Sequence, residues 1–135
     1  LLSKYPDTSG RDSLFQAEAR RCKDIIEFIN KDNTKRHFCI FDELYSGTNP
    51  DDAIDSAKGF IQYLIKKPVQ FLLTTHYFQI CTDLKDEKVI ENNYMNINDS
   101  NNNIVYTYKL KKGISKIKGG KQVLKDLGYP DEIIN

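Results

Sequence analysis

Apolar side chains recur at helical spacing in two stretches of the chain, run unbroken through two others, and alternate in one. Phe15, Cys22, Ile25, Ile26 and Ile29 fall on one helical face, and Ser13 stands three residues ahead of Gln16, the spacing of a capping box. A helix is predicted from about Ser13 to Asn30. After a polar link, Phe38, Cys39, Ile40 and Phe41 read as a strand from about His37 to Phe41, and the lack of polar alternation predicts burial on both faces, as in a parallel sheet. Ile54, Ala57, Ile61, Leu64 and Ile65 mark a second helix with strong end signals. Asn49 is its cap, Pro50 its first residue, Asp51 and Asp52 lie in its first turn, Lys66 and Lys67 in its last, and Pro68 ends it. A second apolar run, Val69 to Leu73, leads into Thr74, Thr75 and His76, and a short helix follows from about Tyr77 to Leu84.

A strand, a crossover helix and a strand make a right-handed parallel unit, so both strands end on one edge of the sheet. That edge is where open α/β sheets bind ligands, and the topology brings Asp42 and Glu43 to it from one strand and His76 from the other. The remainder changes style. Val89 to Ile97 and Ile104 to Leu110 flank the turn-forming segment Asn98 to Asn103, and Ile104, Tyr106, Tyr108 and Leu110 alternate with more polar neighbours, which predicts an antiparallel hairpin. A basic loop from Gly113 to Gly120 precedes a helix from about Lys121 to Leu127, closed by Gly128 and Pro130. The fold class is α/β: parallel strands with crossover helices, then the hairpin and a short C-terminal helix.

Composition narrows the function classes. With 135 residues the chain suits one domain at most. Its net charge of +1 gives bulk electrostatics no pull toward nucleic acid or an anionic surface. No apolar run approaches the roughly 20 residues that span a bilayer, and the first ten residues lack the apolar core of a signal peptide, which points to an intracellular, non-membrane setting. Cys22, Cys39 and Cys81 show no C-x-x-C spacing and read as reduced structural residues. The chain opens without an initiator methionine and closes where a new helix starts, so it reads as part of something longer.

The acidic pair carries the strongest chemical signal. A buried strand does not ordinarily finish on adjacent carboxylates, because an unpaired buried charge is costly. Asp42 can hold a magnesium ion, directly or through water, while Glu43 polarises a water for attack on a phosphate; the plainer alternative is two solvated acids in a loop. The helix start at Ser13, preceded by Ser9, Gly10 and Arg11, suits an anion, or is an ordinary capped helix. Gly120-Lys121 is the sole Gly-Lys pair, but Ser115 and Gln122 break the phosphate-loop pattern around it. Lys109, Lys111, Lys112, Lys116, Lys118 and Lys121 read as a solvated basic face.

At these residues the sequence resembles the ATPase domain of the DNA mismatch repair MutS family, within the ABC-type P-loop NTPases. Ser9 to Glu18 resembles that family's form of the ABC signature, with Ser13, Phe15 and Glu18 on matching positions. Cys39 to Ala53 resembles the Walker B motif and D-loop, and Leu72 to Ile80 the switch-histidine segment. Tyr108 to Ile134 resembles the stretch leading toward the C-terminal dimerisation helices. The resemblance implies magnesium at Asp42, the catalytic base at Glu43, a γ-phosphate sensor at His76, and ATP contacts from Gly10, Ser13, Phe15, Gly47, Thr48 and Asn49. It also implies a homo- or heterodimer whose nucleotides lie between the Walker motifs of one protomer and the signature helix of the other. DNA, mismatched or branched, would be handled by domains outside this chain. Leu14 stands where the family more usually has Thr, and Tyr45-Ser46 where many members have Gly-Arg.

No G-x-x-x-x-G-K-S/T loop occurs in the chain, so its ATPase activity is expected only in a longer protein and the isolated chain is expected to be inactive. Two other readings follow. One is a non-catalytic interaction or dimerisation module that pairs with a phosphate-loop partner. The other is part of a different ABC-type DNA-maintenance ATPase, such as the SMC-like group, although Thr74 to Tyr77 and Gly119 to Pro130 suit the MutS pattern better.

Overall fold

The computed structural model describes residues 13–32, 34–100, 103–115 and 119–134. The chain packs as two compact units, Leu1–Val89 and Ile90–Asn135.

In the first unit, helix α1 spans Leu14–Lys31 and starts as its sequence signals require. The Ser13 hydroxyl accepts from Gln16 N–H at 3.2 Å, and Gln16 Oε1 accepts from Ser13 N–H at 2.8 Å, closing the capping box. Strand β1 (His37–Asp42) pairs in parallel with β2 (Val69–Thr74), residue for residue from His37 opposite Val69 to Asp42 opposite Thr74. The crossover between them is α2 (Pro50–Leu64), and α3 (Phe78–Asp83) follows β2. Asn49 caps α2 by accepting from Asp52 N–H at 3.0 Å, with Pro50 behind it in the first turn, where a missing N–H costs nothing.

Helix α2 stops earlier than its sequence suggests. It ends at Leu64, and Lys66 and Lys67 lie beyond it in tight turns whose N–H groups bond Tyr63 O and Leu64 O. Pro68 disfavours helical backbone at the residue before it, so the chain leaves the helix ahead of the proline.

The expectation of burial on both faces of the first strand is corrected. His37 packs edge-on against Phe28 of α1, and Phe41 meets Phe60 of α2 at 5.3 Å, so both helices cover the same face of β1. The other face is open: Phe38 is 67% exposed, Ile40 61%, and Leu72 beside them on β2 57%. Parallel sheets are ordinarily covered on both sides, and the described residues supply one cover. The core lies between that sheet face and the helices, with Ile29, Ala53, Ala57 and Leu64 almost wholly buried. The three cysteines are free, as expected, with Cys22 buried.

The second unit holds the antiparallel hairpin of β3 (Asn93–Ser100) and β4 (Asn103–Lys112), followed by α4 (Gly120–Asp126) and α5 (Asp131–Ile134). Its strands run further into the Asn-rich connection than the sequence suggests, and β3 begins at Asn93 rather than Val89. The expected alternation of Ile104, Tyr106, Tyr108 and Leu110 does not hold through the strand. The register jumps from Asn96 opposite Lys109 to Ile97 opposite Tyr106, and Tyr108 takes φ 55° at this bulge. Gly128, at φ 76°, ends α4 in the left-handed conformation expected of a helix-terminating glycine. Among the described residues no helix is long and apolar enough to cross a membrane.

Candidate functional site at the parallel strand tips

Parallel pairing in a shared register sets the site. Asp42 and Thr74 are the last partners of β1 and β2, and the Thr74 hydroxyl donates to Asp42 Oδ1 at 2.7 Å. The next N–H in the chain, that of Glu43, turns back to β2 and reaches both Thr74 O, at 3.0 Å, and Thr74 Oγ1, at 3.2 Å. One side chain thus orients the first carboxylate and anchors the residue that bears the second.

Glu43 sits at φ 51°, in the left-handed region, so its carboxylate departs from the strand's alternation. It meets His76, two residues beyond the end of β2: Nε2 and Glu43 Oε1 are 2.7 Å apart. The imidazole is 85% exposed and the glutamate side chain 36%, so the pair faces solvent with the histidine outermost. The strand-end acids and His76, expected at one edge from topology alone, do come together.

This geometry suits a small hard cation and a water. Among the described residues, no three His, Cys, Asp or Glu side chains gather into a chelating cluster. Magnesium does not ask for one: it takes one or two carboxylates and fills its octahedron with waters and substrate phosphates. Asp42, exposed and with one oxygen oriented by Thr74, matches that requirement. Glu43, the next residue, carries its carboxylate just beyond the end of β1, a group that can accept a proton from a water.

Behind the acids, the turn after β1 is packed rather than loose. Tyr45, at φ 59°, is buried with its ring against Phe15 of α1 and Phe60 of α2, at 5.7 Å and 6.3 Å between centroids. Burial pushes its phenol well above the ordinary tyrosine range, and a hydrogen bond with Cys22 and the nearby Glu18 carboxylate act in the same direction. Burial likewise pushes up the Cys22 thiol. Gly47 N–H donates to Glu18 Oε2 at 3.2 Å. Leu14 and Tyr45 both lie where α1 meets this turn.

The other sequence-derived site residues fall in distinct places. Ser13 and Phe15 open α1, the former bonded to Gln16 and the latter in a tilted ring contact with Tyr45. Gly47 is pressed against Leu14, Thr48 is half-buried, and Asn49 caps α2. Gly10 lies outside the described residues. Sequence reasoning missed Thr74, although parallel pairing of two equal runs puts a hydroxyl opposite Asp42. It also missed the contacts of Tyr45 with Cys22 and of Gly47 with Glu18, for which no spacing in the chain gives a signal.

A sequence profile of MutS domain V matches residues 6–135. The chain belongs to the MutS family. It is similar to the DNA mismatch repair protein MutS of Aquifex pyrophilus, 31% identical over 112 residues that make up 82% of this chain and 13% of that protein. The MutS of Pelotomaculum thermopropionicum is 31% identical over 130 residues, 96% of this chain and 14% of its own length. The endonuclease MutS2 of Fusobacterium nucleatum is 32% identical over 123 residues, 91% of this chain and 15% of that protein. The chain therefore spans about one-seventh of the length of these MutS relatives. Their names differ, mismatch repair protein in two and endonuclease in the third.

Proposed function

We propose that this chain is the hydrolytic portion of a MutS-like ATPase domain, working on ATP and magnesium within a longer DNA mismatch repair or DNA-maintenance protein. The observation that carries the reading is the meeting of Glu43 and His76 at 2.7 Å beside Asp42, on the tips of two parallel strands. MutS family membership supports it, since each relative named above contains the same segment within a protein several times longer.

In this reading Asp42 would hold magnesium, directly or through water. The ion, when bound, neutralises charge on the β- and γ-phosphates. Glu43 accepts the proton of a water as that water attacks the γ-phosphorus; the bond to the bridging oxygen breaks, releasing ADP and inorganic phosphate. His76 bonds the Glu43 carboxylate in the structure and orients it. As the γ-phosphate sensor it exchanges that bond for one to a phosphate oxygen, freeing Glu43 for the water.

The start of α1, with Ser13 and Phe15, faces the nucleotide of a partner protomer, and Gly47, Thr48 and Asn49 line the junction between protomers. DNA contacts belong to parts of the protein outside this chain, and the setting is intracellular.

The test is Glu43→Gln in the natural protein that carries this sequence. ATP binding is expected to survive, and turnover to fall by about 10²–10⁴-fold, the contribution of a positioned general base. Hydrolysis at the wild-type rate sinks the assignment. The alternative, a non-catalytic module that docks on a phosphate-loop partner, draws on the open apolar sheet face and the lack of a phosphate loop in this sequence. Robust magnesium-dependent hydrolysis by the isolated chain would exclude it.

A further inference from the structure

The turn that carries Glu43 is held in a backbone shape it would not adopt alone. Glu43 and Tyr45 both take left-handed φ values, 51° and 59°. Each such residue is strained and persists only where its surroundings over-determine it. The surroundings act at both ends. In front, Glu43 N–H is tied to the carbonyl and hydroxyl of Thr74. Behind, Tyr45 is buried between Phe15 and Phe60, and Ser46 N–H closes the turn on Glu43 O at 3.2 Å.

The last tie is charged. Glu18 Oε2 accepts from Gly47 N–H at 3.2 Å, across 29 residues of chain, in a part-buried position. A hydrogen bond to an ionised acceptor is about twice as strong as a neutral one. Glycine is required for it: a Cβ at position 47 would stand 2.6 Å from Leu14 Cγ and 2.9 Å from Leu14 Cβ, so no larger residue brings this N–H so close to α1.

We propose that Glu18 is a positioning residue for Glu43. By clamping Gly47 N–H to α1 it fixes the far end of the strained turn, and so holds the Glu43 carboxylate where it meets His76. This rests on the reading of Glu43 as the hydrolytic base. Glu18 touches no reacting atom in this scheme and acts through four residues of backbone.

The experiment compares Glu18→Ala, Glu18→Gln and Gly47→Ala in the natural protein that carries this sequence, measuring ATP turnover, equilibrium ATP binding and melting temperature. Glu18→Ala is expected to lower kcat by about 10- to 100-fold, the effect of a displacement near 1 Å. ATP Kd should stay within about twofold, because a group acting on the base alone does not change ground-state binding. Glu18→Gln should keep most of the turnover, since its amide oxygen accepts the same N–H. Gly47→Ala should lose turnover with Glu18 intact. Wild-type kcat in Glu18→Ala overturns the proposal, as does an equal loss in Glu18→Gln or a Kd loss that matches the kcat loss. If Glu18→Ala does not fold, Glu18→Gln and Gly47→Ala decide the matter by the same criteria. Glu43→Gln separates the two levels. Turnover that survives it overturns the underlying reading; turnover lost there but untouched in Glu18→Ala overturns only the positioning role.

Discussion

Each unit is built on one two-stranded sheet, and the two sheets are supported in opposite ways. The parallel pair β1 and β2 keeps an unbroken register, is covered on one face by α1 and α2, and ends in a cluster of hydrogen-bonded polar groups. The antiparallel pair β3 and β4 slips register at Asn96 and Ile97 and leaves Met95, Val105, Tyr106, Tyr108 and Leu110 exposed, Tyr108 by 85%. Of the described hydrophobic residues that are buried, only Ile134 belongs to the second unit. A helical cover therefore matters more than strand pairing: it holds the parallel strand tips firmly enough to aim two carboxylates, while the hairpin has ladder bonds and little packing beneath them.

Core truncation should break this comparison most visibly. Leu64, wholly buried, is expected to cost about 2–5 kcal/mol on Leu64→Ala, whereas Leu110→Ala, at a side chain 66% exposed, should stay within about 0.5 kcal/mol in chemical denaturation. Equal losses would mean that the hairpin is packed in solution as the first unit is. A smaller effect is expected at the strand tips. Thr74→Val keeps the shape but removes the hydroxyl shared by Asp42 and Glu43, and ATP turnover should fall about tenfold, while Thr74→Ser stays near the wild type. If valine and serine behave alike, the hydroxyl does not order the acids.

The smallest effect is a pH dependence in the hairpin. Lys112, whose Nζ lies 2.8 Å from Glu91 Oε2, holds that carboxyl below the usual glutamate range, with Asn93 assisting. A depressed folded value means that the pair's contribution is complete above the ordinary glutamate pKa and disappears as pH falls through the lower folded value. Lys112→Met should flatten that acid-side dependence in a denaturation series taken below neutral pH. Both groups are well exposed, so salt should flatten it too.

Much of the parallel unit was legible in the sequence because its signals are local and redundant. Ser13 with Gln16 and Asn49 with Pro50 announce helix starts, two apolar runs flank an amphipathic stretch, and parallel strand direction brings Asp42, Glu43 and His76 to one edge. The open face of β1 was not legible, because an unbroken apolar run says that a strand can be buried twice without saying what covers it. Nor was the bulge at Thr107 and Tyr108, since the alternation from Ile104 to Leu110 continues through it on paper. The clamp behind the site escaped for another reason. Glu18 and Gly47 are 29 residues apart, and nothing periodic links a helix surface position to one glycine N–H in a turn.

Phe38, Ile40 and Leu72 share their open sheet face with Asp42 and Thr74, so the Asp42 carboxylate stands at the end of an apolar floor. Whatever covers that floor also sets how wet the carboxylate is. At 4 Å a unit charge pair is worth about 1 kcal/mol in bulk water and about 4 kcal/mol at an effective dielectric near 20. Closing the sheet face would thus strengthen the attraction between Asp42 and any nearby cation while raising the cost of desolvating both, so the covering, as much as the residue, sets the balance.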